Sequence, residues 1–361
     1  MNVTPRQTAA IDLLSDTVTL PPPAMRRAIC DADVGDDVYG EDTSVNRLEA
    51  VAAERLGKPA ALFLPSGTMA NLLALLSHGP RGHKVLLGDR SDMWRWEAGG
   101  ASVLGGLVYH PVVTADNGEL PIEDLERAAS DPDDPQVAPC RVVCIENTHC
   151  MTGGQVLSLG YLRQVRDFVD HHGLVFHLDG ARLFNAAVAL GIDARQIARF
   201  ADSVMFCLSK GLSAPVGSML AGERDFIDRA RRLRKMLGGG MRQAGFLAAA
   251  GIYALDEMVE RLAEDHVHAR LLYQGLQAVN GVVLDPQPPP TNIVFWQLED
   301  PSLPVEDFVR RLAEAGVRVG ELGRGRIRAV LHYGIERQHI DRVVEAVDTV
   351  LRQRLAPIGE R

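Results

Sequence analysis

The sequence predicts an α/β protein: a large domain with a mostly parallel central sheet flanked by helices, and a small C-terminal α+β domain. Two observations carry this prediction. Short apolar runs alternate with amphipathic stretches along most of the chain, which is typical of strands joined by helices. Polar residues and glycines follow several of these runs directly, at the strand ends where parallel sheets bind their ligands.

Periodicity and stop signals place the elements of the large domain. The helices are expected at 45–56, 68–78 and 161–171, the first ending at Gly57 and the second opening at Ser66-Gly67. The strands are expected at 60–64, 85–88, 108–111, 141–146, 174–178 and 203–209.

The pattern changes near residue 255, where a long charged helix is expected at 258–277. Strands at 292–297 and 326–331 and helices at 305–315 and 340–355 complete a compact α+β unit. We therefore predict an N-terminal segment and large domain at 1–255, followed by a small domain at 256–361.

Composition excludes several classes of protein. A formal net charge of −9 over 361 residues argues against a nucleic-acid-binding protein, which needs a positive surface for phosphates. The chain has no apolar run of about 18 residues, as a transmembrane helix requires, and its start lacks the layout of a signal peptide. The five cysteines have no CxxC or zinc-like spacing, which favours reduced thiols, a cytoplasmic protein and no metal site.

Lys210 is the best-placed candidate for a nucleophilic amine. It follows the buried strand expected from residue 203 and precedes a glycine, and desolvation at such a position activates an amine. The chain holds only 4 lysines against 34 arginines, and Lys58, Lys84 and Lys235 have the sequence surroundings of surface residues. A surface lysine at a strand end remains the alternative.

Asp179, in the segment His177-Leu178-Asp179-Gly180-Ala181-Arg182, also follows a predicted strand and precedes Lys210 by 31 residues. Its carboxylate could hold the protonated ring nitrogen of pyridoxal phosphate (PLP), which stabilises the electron-accepting form of the ring. The alternative is a helix cap with an ion pair.

Two glycine-containing segments could bind anions. The first, 65–71, places Gly67 and Thr68 at a strand-to-helix turn, where backbone N–H groups can hold a phosphate. The second, Gly238-Gly239-Gly240-Met241-Arg242, brings a basic side chain to a loop that can approach a ligand or another subunit closely. A capped helix and a flexible loop are the respective alternatives.

Together these motifs resemble the low-specificity L-threonine aldolases, which are PLP-dependent enzymes of fold type I. The resemblance covers nearly the whole chain and runs in order through Ser15-Asp16-Thr17-Val18-Thr19, Gly35-Asp36-Asp37-Val38-Tyr39-Gly40, Pro65-Ser66-Gly67-Thr68-Met69, Ile145-Glu146-Asn147-Thr148-His149, His177-Leu178-Asp179-Gly180-Ala181-Arg182, Phe206-Cys207-Leu208-Ser209-Lys210-Gly211 and Leu237-Gly238-Gly239-Gly240-Met241-Arg242.

The resemblance implies a role for each matching residue. Lys210 would carry PLP as a covalent imine, Asp179 would pair with its ring nitrogen, and Gly67 and Thr68 would hold its phosphate. His149 would face the β-hydroxyl group of the substrate. Ser15, Arg182 and Arg328 would fix the substrate carboxylate, and Arg182 and Arg242 would also bind the cofactor. Tyr39, Lys235 and Arg242 would reach in from a neighbouring subunit, Tyr39 and Lys235 toward the substrate.

The implied reaction is retro-aldol cleavage of L-threonine, L-allo-threonine or another β-hydroxy-α-amino acid to glycine and an aldehyde. The resemblance also implies a homo-oligomer, a dimer or a dimer of dimers, with active sites at the subunit interface. It implies neither a nucleic-acid nor a membrane partner.

Three positions depart from the family pattern. Asp92 stands where the family has a histidine that stacks on the cofactor ring, which makes Asp92 a candidate catalytic residue or a tolerated substitution. Leu14 stands where arginine is common, and Cys150 where asparagine is frequent. Because of Asp92, related PLP chemistry on another substrate is the alternative function: a transaldolase, a racemase or a β-eliminating lyase.

Overall fold

The computed structural model describes residues 10–129 and 133–355, which form two compact units. The larger unit extends from Leu20 to Leu262, and the smaller one combines the residues through Thr19 with those from Ala263 onward. This division differs from the predicted one in two respects. The boundary lies after residue 262 instead of 255, and the N-terminal segment joins the smaller unit because Ile11–Asp12 pairs in parallel with Val317–Arg318.

The strands set the framework of both units. In chain order, they are β1 (Ile11–Asp12), β2 (Ala60–Leu64), β3 (Lys84–Gly88), β4 (Val108–Val112), β5 (Cys140–Glu146), β6 (Val175–Asp179), β7 (Ser203–Cys207), β8 (Ser218–Gly222), β9 (Val282–Leu284), β10 (Ile293–Leu298), β11 (Val317–Arg318), β12 (Gly320–Glu321) and β13 (Ile327–Val330).

In chain order, the α-helices are α1 (Pro23–Cys30), α2 (Thr43–Leu56), α3 (Gly67–His78), α4 (Asp92–Arg95), α5 (Gly100–Gly105), α6 (Ile122–Ala128), α7 (Leu159–His171), α8 (Leu183–Leu190), α9 (Arg195–Ala198), α10 (Arg224–Met236), α11 (Gly245–Glu257), α12 (Leu262–Gln277), α13 (Val305–Glu314) and α14 (Arg337–Leu355). The described residues include no helix that is both long and apolar enough to cross a membrane.

The larger unit is built on a seven-stranded sheet of order β2-β8-β7-β6-β5-β3-β4 within the described residues. Strand β8 runs antiparallel to β2 and β7, and the other neighbouring strands pair in parallel. The predicted mostly parallel sheet is therefore confirmed. Strands β2, β3, β5, β6 and β7 all end at the same edge. The residues at or just after these ends include Gly67, Asp92, His149, Asp179 and Lys210.

The predicted helix at 45–56 is confirmed as α2, and its ends follow local chemistry. The Asp42 carboxylate accepts a hydrogen bond from the N–H of Val45 at 3.0 Å, which caps the first turn. Gly57 ends the helix in the left-handed conformation, with φ at 63°, where a side chain would be strained.

The largest differences from the predicted elements are the start of one helix and one strand that the prediction lacks, and the strand expected at 203–209 ends earlier, at Cys207. The helix expected at 258–277 starts only at Leu262, because the chain turns after α11 and buries Met258 and Val259. Strand β8 was not expected, since its sequence Ser-Met-Leu-Ala-Gly is short and follows a glycine-containing turn, yet every residue of β8 is buried.

The smaller unit has a four-stranded antiparallel sheet of order β12-β13-β10-β9 within the described residues. Its core includes Trp296 of β10, Leu272 of α12, Phe308 of α13 and Val343 of α14, all at most 1% exposed. Apolar side chains from both sheet and helices thus form one hydrophobic cluster, as the predicted α+β unit requires.

Candidate active site

Asp179 ends β6 with a fully enclosed carboxylate. Its Oδ1 accepts a hydrogen bond from the backbone N–H of Ala181 at 3.1 Å, and its Oδ2 accepts one from Asn71 Nδ2 at 2.9 Å. Burial raises the pKa of Asp179, and the nearby Lys210 ammonium opposes that rise. Because hydrogen bonds and a cation both favour a charged carboxyl, this site suits a carboxylate that meets a positive partner.

Lys210 lies three residues beyond the end of β7 and is half-buried. The loop that carries it is held by hydrogen bonds from the N–H of Leu208 to Gly217 O and from the N–H of Ser213 to Lys210 O, both 2.9 Å. Ser213 adopts a φ of 66°, which lets this loop turn tightly. Burial raises the pKa of Asp179, Glu97 and Cys207, and the Lys210 ammonium opposes all three rises, so it lies close to all three groups.

Gly67 begins α3 directly after the turn that follows β2. The Ser66 hydroxyl accepts a hydrogen bond from the N–H of Met69 at 3.1 Å, which caps the helix, and Thr68 is exposed. A Cβ on Gly67 would lie 2.9 Å from Cys207 Sγ. Glycine therefore lets the N-terminus of α3 lie against β7, while the first N–H groups of the helix remain available for an anion.

Asp92 begins the short helix α4 and lies beside Glu146, the last residue of β5. Glu146 Oε2 accepts a hydrogen bond from the N–H of Asp92 at 2.9 Å, and Oε1 accepts one from the N–H of Cys150 at 2.8 Å. Burial raises the pKa of Glu146 well above its ordinary value, and Asp92 and Asp179 raise it further. Asp92 thus joins a group of carboxyl groups around Asp179.

His149 is buried at the start of the short turn Cys150–Thr152. Its Nδ1 lies 3.1 Å from Thr152 Oγ1, and its Nε2 has no hydrogen-bond partner in the part of the chain that the structure describes. Burial lowers the pKa of His149 to about 4, and the Asp92 carboxylate opposes part of this shift. A neutral imidazole with one buried, unpartnered nitrogen is suited to accept a proton or a hydrogen bond from a ligand.

Arg182 follows β6 and is 5% exposed. Burial raises the pKa of Cys207, and the Arg182 charge opposes part of this rise. The structure therefore brings Arg182 to the same edge of the sheet as Asp179 and Lys210.

Tyr39, Lys235 and Arg242 lie together on another part of the larger unit. Arg242 Nη1 is 2.9 Å from Asp36 Oδ2, and the Arg242 carbonyl accepts a hydrogen bond from the N–H of Asp37 at 3.0 Å. Tyr39, in the same turn as Asp36, is 74% exposed, and Lys235 is exposed as well. The turn and the glycine-rich loop are thus joined, and the aromatic and lysine side chains face outward.

Ser15 and Arg328 belong to the smaller unit, where they lie near each other. Arg328 Nη2 donates a hydrogen bond to the carbonyl of Leu14 at 3.1 Å, and the Ser15 hydroxyl accepts one from the N–H of Thr17 at 3.2 Å. Leu14 stands at the position where arginine is common, and its backbone carbonyl is the group that Arg328 contacts.

Sequence reasoning missed the residues that surround Asp179. Asn71 lies within the predicted phosphate segment and His177 within the Asp179 segment, yet neither was given a role. Their helical and strand periodicity offered a signal, because Asn71 lies one turn beyond Gly67 and His177 lies two residues before Asp179, on the same face of β6.

These residues fit PLP. A buried carboxylate supported by two donors suits a protonated ring nitrogen, a neighbouring lysine suits the aldehyde carbon, and a capped helix N-terminus beside the lysine strand suits the phosphate. The described residues contain no cluster of His, Cys, Asp and Glu that could hold a metal ion.

Comparison with known proteins decides the family. The model of the β-eliminating lyase family matches residues 12–300. A low-specificity L-threonine aldolase from Escherichia coli is 44% identical over 333 residues, covering 92% of this chain and 97% of that protein. Low-specificity L-threonine aldolase 1 from Arabidopsis thaliana is 44% identical over 329 residues, covering 90% and 92%. The chain belongs to the family of low-specificity L-threonine aldolases.

The fold agrees with this membership. The structure of a threonine aldolase from Leishmania major superposes with a TM-score of 0.79 at 23% identity, covering 94% of this chain and 99% of that one. The predicted fold type I architecture of PLP-dependent enzymes is confirmed. Within this threonine aldolase family member, Asp92 and Leu14 remain the departures for which the site must account.

Proposed function

We propose that this enzyme is a PLP-dependent lyase that cleaves L-threonine, L-allo-threonine and related β-hydroxy-α-amino acids to glycine and an aldehyde. The observation that carries the proposal is the proximity of the Lys210 ammonium to Asp179, where it opposes the rise in pKa that burial causes, at the edge of the sheet where Gly67 begins α3. Family membership at 44% identity supports the same chemistry.

The protein's own residues would divide the work. Lys210 would hold the cofactor covalently, Asp179 would accept a hydrogen bond from its ring nitrogen, and Gly67 and Thr68 would bind its phosphate. When bound, PLP supplies the electron sink that receives the pair from the breaking Cα–Cβ bond. Arg182, Ser15 and Arg328 are the proposed ligands of the substrate carboxylate, because arginine orients a carboxylate through two parallel hydrogen bonds.

His149 is the proposed base. Its buried Nε2 would take the proton of the β-hydroxyl group, while the other ring nitrogen, Nδ1, is hydrogen-bonded to Thr152 Oγ1 at 3.1 Å. A neutral imidazole at working pH is required for this step, and burial of His149 favours that neutral form.

We also propose that the enzyme works in the cytoplasm as a homo-oligomer, a dimer or a dimer of dimers, with Tyr39, Lys235 and Arg242 facing a partner subunit. The outward position of Tyr39 and the absence of disulfides among the five cysteines support this proposal.

Product analysis tests the reaction. Purified enzyme loaded with PLP is given L-threonine, L-allo-threonine or phenylserine, and we expect glycine together with acetaldehyde or benzaldehyde. Formation of 2-oxobutanoate and ammonia from threonine would instead reveal β-elimination, and would replace the proposed reaction.

A further inference from the structure

A chain of hydrogen bonds leads away from Asp179 into the interior of the larger unit. Asp179 Oδ2 lies 2.9 Å from Asn71 Nδ2, and Asn71 Oδ1 lies 3.0 Å from His177 Nε2. His177 Nδ1 lies 2.8 Å from Ser203 Oγ, which lies 2.9 Å from His78 Nε2. We call Asn71, His177, Ser203 and His78 the relay.

The elements bring these residues together. His177 and Ser203 are directly paired residues of β6 and β7. Asn71 and His78 lie two turns apart on α3, whose side chains at this spacing share one face. The relay therefore extends from the start of β7 to the edge that carries Asp179.

The orientation of the Asn71 amide is fixed by two carboxyl groups. Its Nδ2 lies 2.8 Å from Glu97 Oε1 as well as 2.9 Å from Asp179 Oδ2. A carboxylate oxygen only accepts hydrogen bonds, so the Asp179 carboxylate takes an amide hydrogen of Asn71 Nδ2, and Asn71 Oδ1 must face His177.

The orientation of Asn71 then determines where the hydrogens lie on His177, Ser203 and His78. Because Asn71 Oδ1 can only accept, His177 Nε2 carries a hydrogen. Burial lowers the pKa of His177 to about 3, so its ring is neutral and Nδ1 accepts from the Ser203 hydroxyl. The single hydrogen of Ser203 is thereby used, and Ser203 accepts from His78 Nε2. Every hydrogen bond of the relay is therefore donated toward Asp179.

This single direction makes the relay behave as a unit. If His177 carried its hydrogen on Nδ1, its Nε2 lone pair would face Asn71 Oδ1 and repel it. Turning the Asn71 amide over would place Oδ1 against the Asp179 carboxylate, which is an acceptor too. Chains of hydrogen bonds polarise one another, so each member strengthens the donation that Asp179 receives.

We propose that Asn71, His177, Ser203 and His78 are positioning residues that hold the Asp179 side chain as an oriented carboxylate for the ring nitrogen of the cofactor. This inference rests on the proposed function, and it names the groups that maintain its cofactor site. Asp179 needs such support because burial and the Asp92 carboxylate both oppose its charge. The titratable groups that face Asp179 are Asp92, Glu97, Cys144, Glu146, Cys207 and Lys210.

Two substitutions of His177 separate the relay from simple packing. His177→Leu fills the space but donates nothing to Asn71, whereas the side-chain amide of His177→Gln can donate to Asn71 Oδ1. Ser203→Ala removes the hydroxyl that sets the His177 tautomer. Ser77→Ala is the matched control, because the Ser77 hydroxyl on the same helix α3 is buried without a hydrogen-bond partner among the described residues.

The experiment titrates the full-length apo-protein of each variant with PLP and records the dissociation constant and the absorbance maximum of the bound cofactor. We expect His177→Leu to weaken PLP binding by about tenfold or more, because the buried Asn71 Oδ1 loses its donor and the Asn71 amide is no longer held toward Asp179, and to shift the absorbance maximum. Ser203→Ala is expected to shift it in the same direction and by less. His177→Gln is expected to restore both values, and Ser77→Ala to leave them unchanged.

The outcomes separate the relay from the proposed function. If the wild-type protein binds PLP and His177→Leu and Ser203→Ala bind it with wild-type affinity and absorbance, the relay proposal is overturned while the proposed function stands. If His177→Gln binds PLP as weakly as His177→Leu does, although its melting temperature equals that of the wild type, the relay proposal is also overturned. A wild-type protein that does not take up PLP would overturn the proposed function, and the relay proposal with it.

Discussion

The backbone N–H of Asp92 donates to the Glu146 carboxylate at 2.9 Å, which anchors the residue that departs most from the family pattern. The other oxygen of Glu146 accepts from the N–H of Cys150, which also departs from that pattern. Both departures change a side chain on a backbone that Glu146 holds in place. The side chain of residue 92 should therefore be exchangeable without loss of the fold.

Replacing Asp92 with histidine tests what the departure costs. We expect Asp92→His to raise kcat/KM for L-threonine about three- to tenfold, because an aromatic stacking contact contributes about 0.5–1.5 kcal/mol. Asp92→Asn, which removes only the charge, is the control. Steady-state kinetics with L-threonine and phenylserine measure the effect, and a fall in kcat/KM for both Asp92→His and Asp92→Asn would contradict this expectation and assign the Asp92 carboxylate a specific part in the reaction.

The pH dependence of the reaction should report His149. Because burial lowers its pKa to about 4, the ring is neutral above that pH in the folded enzyme, and activity that needs a neutral base is lost as the pH falls through this value. We expect the acid limb of kcat/KM near pH 4, well below the ordinary histidine value of about 6.5. The Asp92 carboxylate raises the pKa of His149, so Asp92→Asn should move the limb to lower pH. An acid limb that Asp92→Asn moves to higher pH would contradict the assignment.

Removing the imidazole tests the same residue directly. His149→Asn should lower kcat for β-hydroxy-α-amino acids by about 10²–10⁴-fold, the usual contribution of a general base. PLP absorbance should stay as in the wild type, since His149 is not a proposed cofactor ligand. Unchanged kcat would require another base.

The contact of Gly67 with β7 makes a further prediction. Gly67→Ala places a Cβ 2.9 Å from Cys207 Sγ and 3.0 Å from Met205 Cε, and overpacking of this kind costs about 1–3 kcal/mol. We expect a lower melting temperature and weaker PLP binding. Gly160→Ala, near the start of α7, meets only Ser158 Oγ at 3.7 Å and should change neither. If Gly67→Ala and Gly160→Ala have the same melting temperature and the same PLP affinity, α3 does not need a glycine to lie against β7.

Arg328 can be tested as a carboxylate ligand through substrate binding. Arg328→Ala should raise KM for L-threonine by about tenfold or more, because a hydrogen bond to a charged group contributes about 1.5–3 kcal/mol. The dissociation constant of PLP should not change. Arg352→Ala, an exposed arginine of α14, is the control, and an unchanged KM for Arg328→Ala would exclude this role.

Strand-end chemistry could be predicted from the sequence because its signals are local. The apolar run before Lys210 and the run before Asp179 each indicate a buried strand, and β7 and β6 confirm both. The end of the helix at 45–56 could also be predicted from local sequence, because Gly57 terminates the helix. Such signals require only neighbouring residues.

The remaining features depend on tertiary contacts that the sequence does not record. Strand β8 gains its stability from pairing on both sides with β2 and β7, so its own five residues carry little periodic signal. The Asn71 side chain is oriented by its hydrogen bond to Asp179, which is 108 residues away in sequence. The polar partners of a site residue are therefore harder to predict than the site residue itself.

The role of Lys210 as the residue that carries the cofactor can be read out by chemical trapping. Wild-type enzyme loaded with PLP is reduced with sodium borohydride, digested, and mapped by mass spectrometry. We predict a phosphopyridoxyl group on the peptide that contains Lys210, and on none that contains Lys58, Lys84 or Lys235. A label on one of those three lysines, or no label on an enzyme that cleaves L-threonine, would contradict the account.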